Sequence, residues 1–163
     1  MHSLWRALHF EVVVILGVVL ISVVSLSAQT NDPRIGTWKL NVAQSAYSPG
    51  PAPKSLTLKV EPSGQGEKVT AEFVNADGTR TTTEYTANFD GKDYPLTGSL
   101  IADTVSLKRI DARTTVRTDK KGGKAVQTLR RVVSEDGKVL VVMTKGTNAQ
   151  GQPANNALLF EKQ

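Results

Sequence analysis

Two arginines at inward-facing strand positions have the clearest chemical potential in this sequence. Arg109 shares one strand face with Val105 and Leu107, and Arg131 shares one with Leu129 and Val133. A buried guanidinium is costly unless it is paired, and it is well suited to holding a carboxylate or phosphate. We therefore predict that Arg109 and Arg131 face a lumen and hold an anionic head group, with Tyr85 and Tyr94 nearby.

A simpler role for these arginines is also compatible with the sequence. They could lie at strand ends, reach water along their aliphatic stems, or pair with Asp103, Asp111 or Glu84. The surrounding segment is strongly basic, with nine cationic residues against two aspartates: Lys108, Arg109, Arg113, Arg117, Lys120, Lys121, Lys124, Arg130 and Arg131. With a net charge of +5, this segment is either a solvated basic face or a peripheral contact for an anionic envelope surface.

Histidine and cysteine are missing from most of the chain. His2 and His9 are its two histidines, and it has no cysteine. Downstream of the first eleven residues this excludes a thiol nucleophile, a histidine general base and a zinc site with nitrogen or sulfur ligands. Catalysis by carboxylates or tyrosines remains the alternative, and no spacing indicates a pair of carboxylates. We expect a protein that is not an enzyme and uses no cofactor.

The first 28 residues have the pattern of a secretory signal peptide. Val12 to Val24 is almost wholly apolar, and Ser25 to Ala28 supplies the small residues that precede a cleavage site. We predict cleavage after Ala28 and a single exported domain, residues 29–163, in the periplasm or outside the cell. Retention of the segment as an N-terminal membrane anchor is the alternative.

The elements that must position these residues are predicted to be strands throughout. Apolar and polar residues alternate with a period of two, and Asp-Gly and Gly-Gly turns separate the segments. The predicted strands are Gly36–Asn41, Ser55–Glu61, Lys68–Asn75, Thr79–Asn88, Asp103–Ile110, Thr114–Asp119, Lys124–Ser134, Lys138–Thr147 and Asn156–Lys162. We expect an all-β fold: one antiparallel meander closed into a barrel of about eight to ten strands, because closure removes exposed edges. A two-sheet sandwich is the alternative.

The first strand carries a family resemblance. Gly36-Thr37-Trp38-Lys39-Leu40-Asn41 resembles the opening of lipocalins and fatty-acid-binding proteins, which share a Gly-x-Trp signature. It is closer to small secreted bacterial lipocalin-like proteins of unknown function. The residues that match the pattern of those proteins also include 47–50, 89–92, 145–148 and 161–162.

The resemblance implies roles for the signature residues. Gly36 would allow close backbone approach at the closed end of the barrel, and the indole of Trp38 would fill the base. A cationic side chain from a late strand would pack across the indole ring. Arg131, Lys145 and Lys162 are the candidates.

The functional expectation is binding rather than catalysis. We expect a monomer that holds a small amphipathic or anionic molecule in the barrel lumen and does not bind nucleic acid, because exposed aromatics for base stacking are not interleaved with its basic residues. The alternative is a structural or interaction protein whose core is filled. An open lumen lined by Arg and Tyr would favour binding, whereas one filled by Leu, Val and Phe would favour the structural role.

Overall fold

The computed structural model describes residues 32–163, so the predicted leader and its cleavage site lie outside the described residues. Ten antiparallel strands form one closed barrel in which each strand pairs with its sequence neighbours and β1 pairs with β10. This confirms the all-β meander barrel and excludes the sandwich. The strands are β1 Gly36–Leu40, β2 Ser55–Ser63, β3 Gly66–Val74, β4 Arg80–Asn88, β5 Tyr94–Thr97, β6 Thr104–Arg109, β7 Thr114–Lys121, β8 Lys124–Val133, β9 Val139–Thr147 and β10 Pro153–Lys162.

Apolar alternation builds the inner face of the barrel. Side chains of directly opposed residues in an antiparallel pair lie on the same face of the sheet. The inward residues of β2 and β3 are paired in this way: Leu56 with Phe73, Leu58 with Ala71 and Val60 with Val69. One apolar surface therefore runs across both strands, as the period-two pattern predicts.

The short strand β5 was missing from the sequence prediction. It has four residues, includes Pro95, and pairs with only two residues of each neighbouring strand. Such a segment is too short to show alternation, and proline is depleted in strands. The only helix in the described residues is one turn of 3₁₀ helix at Val42–Gln44, and none of them forms a helix long and apolar enough to cross a membrane.

One end of the barrel is closed around Trp38. Its side chain is fully buried, and its indole Nε1 donates to the carbonyl of Arg34 at 2.8 Å. The Nζ atom of Lys162 lies 5.0 Å from the centre of the indole ring. Lys162 is therefore the cation that packs on the tryptophan, and Arg131 and Lys145 are not.

Glycine at position 36 makes this arrangement possible. Gly36 has a φ of +135°, which favours glycine, and a Cβ at this position would lie 2.8 Å from Cε of Lys162. The lysine stem passes through the space that a side chain would occupy. Gly36 therefore leaves the space through which Lys162 reaches the indole ring of Trp38.

We call the filled interior at this end the packed base. Its apolar members are Trp38, Val60, Leu107, Val133 and Leu140, all buried. Turns after β2, β4, β6 and β8 lie at the same end. The turns after β3, β5, β7 and β9 lie at the opposite end, together with the proline-rich segment that follows β1.

Candidate ligand-binding cavity

The interior at the opposite end of the barrel is hollow. A cavity of about 680 Å³ opens there, within the range of pockets that hold small molecules. Its mouth is formed by residues of the connections that follow β1, β3, β5 and β9: Tyr47, Pro51, Pro53, Asn75, Ala76, Asp77, Ser99, Ile101 and Gln150. None of the five apolar base residues lines it.

The cavity has an apolar and a polar wall. Strands β2, β3 and β10 contribute hydrocarbon side chains: Leu56, Leu58, Val69, Ala71, Phe73, Leu158 and Phe160. Strands β7, β8 and β9 contribute most of the polar ones, Arg117, Asp119, Gln127, Arg131 and Thr144, together with the apolar Leu129 and Val142. The cavity therefore suits a molecule that is mostly hydrocarbon and has polar atoms on the side of β7, β8 and β9.

Arg131 joins the cavity to the packed base. Its Nη1 lies 2.6 Å from Oε1 of Glu67 and donates to the hydroxyl of Tyr85 at 3.0 Å. Its Nε donates to Oγ1 of Thr115 at 3.0 Å. Its Nη2 is buried and has no hydrogen-bond partner among residues 32–163. Every donor group of this guanidinium except Nη2 is therefore used by the protein itself.

Glu67 anchors a chain of alternating charges through the base. It is fully buried, and its Oε2 accepts from Nη1 of Arg34 at 2.8 Å. Arg34 also pairs with Asp32, which accepts from Nη2 of Arg109 at 2.8 Å. The chain contains three arginines and two carboxylates, so it carries one excess positive charge. Its two ends are Arg131 in the cavity wall and Arg109 at the surface.

The pKa values of these groups follow from their burial and their partners. Burial by itself would raise the pKa of Glu67, but the neighbouring Arg131, the hydroxyl of Tyr85 and Arg34 together hold it below its ordinary value. Burial raises the pKa of the Tyr85 hydroxyl. Burial opposes the charge on Arg131, yet Glu67 raises the pKa of its guanidinium. At neutral pH, Glu67 is an anion, Arg131 a cation and Tyr85 a neutral donor.

A second charge pair lies in the polar wall. Arg117 binds Asp119 through two parallel hydrogen bonds, from Nε at 2.5 Å and Nη2 at 2.9 Å. Its guanidinium also lies 4.8 Å from the centre of the Tyr85 ring. Both carboxylate oxygens are occupied, so this pair is neutral and its carboxylate is already satisfied by the protein.

The four residues predicted to bind a ligand separate into two groups. Arg131 and Tyr85 both line the cavity, and they contact each other. Arg109 and Tyr94 are not among the lining residues. The structure thus brings one predicted arginine–tyrosine pair together at the cavity and places the other pair elsewhere. The ligand-binding role of all four residues stays a prediction.

The structure corrects the expected positions of Arg109 and Tyr94. Arg109 ends β6 at the closed end, where its side chain is 39% exposed and its guanidinium lies 4.7 Å from the ring centre of Phe89. The hydroxyl of Tyr94 donates to Asp90 at 2.9 Å, in the connection before β5. Period-two alternation tells which face of the sheet a residue is on, but not how far along the barrel axis it lies.

Sequence reasoning missed several polar members of the site. Arg117 and Asp119 are two residues apart on one strand and therefore share a face, so the sequence could have predicted this local ion pair. Glu67 is the second residue of β3, and its partner Arg131 lies on β8. That contact depends on barrel closure, and nothing local in the sequence indicates it.

Tyr47 adds a second unpaired polar atom at the cavity mouth. The residue lines the cavity, and its hydroxyl is buried with no hydrogen-bond partner in the described part of the chain. Burial raises the pKa of this hydroxyl to about 12, so it keeps its proton at neutral pH. A buried hydroxyl without a hydrogen-bond partner destabilises the folded protein, and an acceptor on a ligand would remove that cost.

Comparisons with known proteins add one structural neighbour. No family model matches the chain, and no curated protein matches it in sequence. The structure is similar to the ileal bile acid-binding protein of zebrafish, crystallised with cholic acid, with 11% sequence identity and a TM-score of 0.47. The similarity covers 80% of this chain and 99% of the zebrafish protein. The barrel assignment rests on this chain's own strand order, a closed antiparallel meander.

Proposed function

We propose that this protein is an exported, non-enzymatic binding protein that holds one small amphipathic anion inside its barrel. The observation that carries the proposal is the buried Nη2 of Arg131, which has no partner among the described residues and belongs to the wall of a half-apolar cavity of about 680 Å³. A buried donor on a cation is costly when unpaired, and an anionic group supplies the pairing that is missing.

The two walls of the cavity orient the ligand. Its anionic group lies at the unpaired Nη2 of Arg131, and its hydrocarbon part lies along β2, β3 and β10. A hydrogen bond to a charged group contributes about 1.5–3 kcal/mol. A second acceptor near the cavity mouth would take the free hydroxyl of Tyr47. The ligand class is therefore an amphiphile with an anion at one end and room for a weaker acceptor at the other.

The state of the buried carboxylates supports a binding role over catalysis. Glu67 and Asp119 each have both oxygens engaged by arginine or tyrosine donors. The pKa of Glu67 is held below its ordinary value, so it has no proton to give as a general acid near neutral pH. The hollow end of the barrel favours binding over a purely structural barrel with a filled core.

Export rests on the leader, and its test is direct. We expect the mature protein in the periplasmic or extracellular fraction to begin at Gln29, as intact-mass measurement would show. A protein that retains residues 1–28 in the membrane fraction would contradict this part of the proposal.

The binding proposal is tested by comparing dodecanoate with dodecanol, which share a chain and differ in the head group. Isothermal titration is expected to show that the protein prefers dodecanoate by about tenfold to a hundredfold, the equivalent of one charged hydrogen bond. In the double variant Glu67→Gln/Arg131→Met, which removes the buried pair together, this preference disappears while dodecanol binding persists.

The matched control is Arg109→Gln. Arg109 lies at the other end of the same charge chain and outside the cavity, so this variant is expected to keep the preference for dodecanoate. Failure of the wild-type protein to bind either amphiphile, or equal preference in the wild type and the double variant, would contradict the proposal.

A further inference from the structure

A single leucine projects from the rim of the cavity mouth. Leu100 is 86% exposed, the most exposed large hydrophobic residue in the described part of the chain. Its neighbours on either side, Ser99 and Ile101, both line the cavity. The leucine therefore stands at the edge of the opening that a ligand must cross.

The loop that carries Leu100 is held in place on both sides. Gly98 precedes it with a φ of +74°, and a Cβ at this position would lie 1.9 Å from the carbonyl oxygen of Thr82. Ala102 follows it and is buried, and the backbone N–H of Ala102 donates to the hydroxyl of Ser99 at 3.3 Å. The close backbone approach and the buried alanine fix the loop, so the exposure of the leucine is built into the fold.

A basic turn is bound directly beside this loop. The N–H of Asp103 donates to the carbonyl of Lys120 at 2.8 Å, and the N–H of Gly122 donates to the carboxylate of Asp103 at 3.0 Å. The turn that joins β7 and β8 is thus hydrogen-bonded to the end of the loop that carries Leu100. Lys121 and Lys124 on this turn are exposed and form no ion pair within residues 32–163, whereas Lys120 pairs with Asp93.

We infer that this rim, formed by Leu100, Lys121 and Lys124, docks the cavity mouth onto an anionic lipid surface. An apolar tip flanked by free cations matches the interfacial layer of a bilayer, where hydrocarbon enters the acyl boundary and lysines meet lipid phosphates. The charge complementarity selects anionic lipid over neutral lipid. Docking does not depend on the proposed ligand, although it would place the mouth where amphiphiles reside.

The chain offers a matched control at its other end. Ile110 is 56% exposed and lies in the turn after β6, at the closed end of the barrel, where it adjoins no residue that lines the cavity. It has basic neighbours too, Lys108 and Arg109 among them. A non-specific attraction of exposed hydrophobic and basic groups to lipid would involve Ile110 as much as Leu100.

The experiment measures co-sedimentation with vesicles, using the chain from Gln29 onward, which contains the whole closed barrel. We expect binding to mixed phosphatidylglycerol–phosphatidylcholine vesicles and much weaker binding to pure phosphatidylcholine. Leu100→Ser is expected to weaken binding to the anionic vesicles by about fivefold or more. Lys121→Glu/Lys124→Glu is expected to weaken it by about tenfold or more and to abolish the preference for anionic lipid. Ile110→Ser is expected to bind like the wild type.

Three outcomes would overturn the inference: no binding of the wild type to anionic vesicles, unchanged binding of Leu100→Ser, or an equal loss in Ile110→Ser. If the wild type does not bind anionic vesicles, the partner of this rim would instead be a protein surface. Dodecanoate titration of the same variants separates this test from the proposed function, because the rim substitutions leave Arg131 and the cavity walls intact.

Discussion

The packed base and the open cavity are built by the same ten strands, yet they treat their polar groups in opposite ways. In the base, Glu67 is surrounded by Arg34, Tyr85 and Arg131, and every oxygen of its carboxylate is bonded. In the cavity, Nη2 of Arg131 and the hydroxyl of Tyr47 are buried without partners among the described residues. At the closed end, the carboxylate of Glu67 has all of its hydrogen bonds within the protein. At the open end, two buried donors are available to a ligand.

This difference separates stability from binding along the barrel axis. A buried charge network rigidifies a structure when every member is satisfied, and it is costly when one is not. The base therefore fixes the position of Arg131 through its bonds to Glu67 and Thr115. The cavity presents the remaining donor of the same side chain to a ligand. The predictions that follow test this separation.

We expect the largest effect on stability from removing the Trp38 side chain from the packed base. Trp38→Ala should lower the free energy of unfolding by about 3–5 kcal/mol, because it leaves a large void in a packed region. Phe73→Ala, in the apolar wall of the cavity, should cost only about 1–2 kcal/mol, since one side of that ring already faces empty space. Urea denaturation of both variants measures the difference. Equal losses would mean that the two regions are packed alike.

The next effect comes from breaking the buried charge network. Glu67→Gln removes the anion but leaves Arg131 and Arg34 buried, so we expect a loss of about 3 kcal/mol or more at neutral pH. Glu72→Gln on the same strand is the control. Glu72 is exposed, and its substitution should change stability by no more than about 0.5 kcal/mol.

The pH dependence of this loss has a defined sign. The pKa of Glu67 is lowered below its ordinary value of 4.5 in the folded state. Its stabilisation is therefore complete above pH 4.5 and is lost as the pH falls through the folded-state pKa. The stability difference between wild type and Glu67→Gln should shrink as the pH is lowered below 4.5. A difference that stays constant down to strongly acidic pH would contradict the role of Glu67 as the buried anion.

The smallest expected effect concerns the cation on the tryptophan. Lys162→Met keeps most of the stem over Trp38 but removes the charge, and should cost about 0.5–1 kcal/mol. Lys145→Met is the matched control, because Lys145 is an exposed lysine on β9 that is not among the cations packed on aromatic rings. Thermal unfolding of the two variants should show a lower midpoint for Lys162→Met only.

The sequence alone predicts which residues share a strand face and which tryptophan fills the closed end of the barrel. Period-two alternation predicted nine of the ten strands, and the Gly-x-Trp opening predicted a tryptophan in the base. Alternation also placed Arg109 and Arg131 on the inward face. It could not tell that one lies at the surface end and the other at the cavity, because that depends on strand tilt and register around the whole barrel.

The site itself depends on contacts between strands that are distant in sequence. Arg131 meets Glu67 and Tyr85 only when β8, β3 and β4 are brought around one interior. The same is true of β5, whose four residues acquire a strand conformation from β4 and β6 on either side. Local sequence patterns predict secondary structure and strand faces. Contacts between strands that are distant in sequence form only when the barrel closes.

The most direct test of the separation between base and cavity is a titration with dodecanoate followed by NMR of backbone amides, methyl groups, arginine side chains and the indole N–H. We expect chemical-shift changes at residues that line the cavity, such as Ala71, Leu129 and Thr144, with the largest change at the guanidinium of Arg131. The indole signal of Trp38 and the methyl signals of Val133 should not move. Shifts centred on the base, or none in the cavity at saturating dodecanoate, would contradict the account.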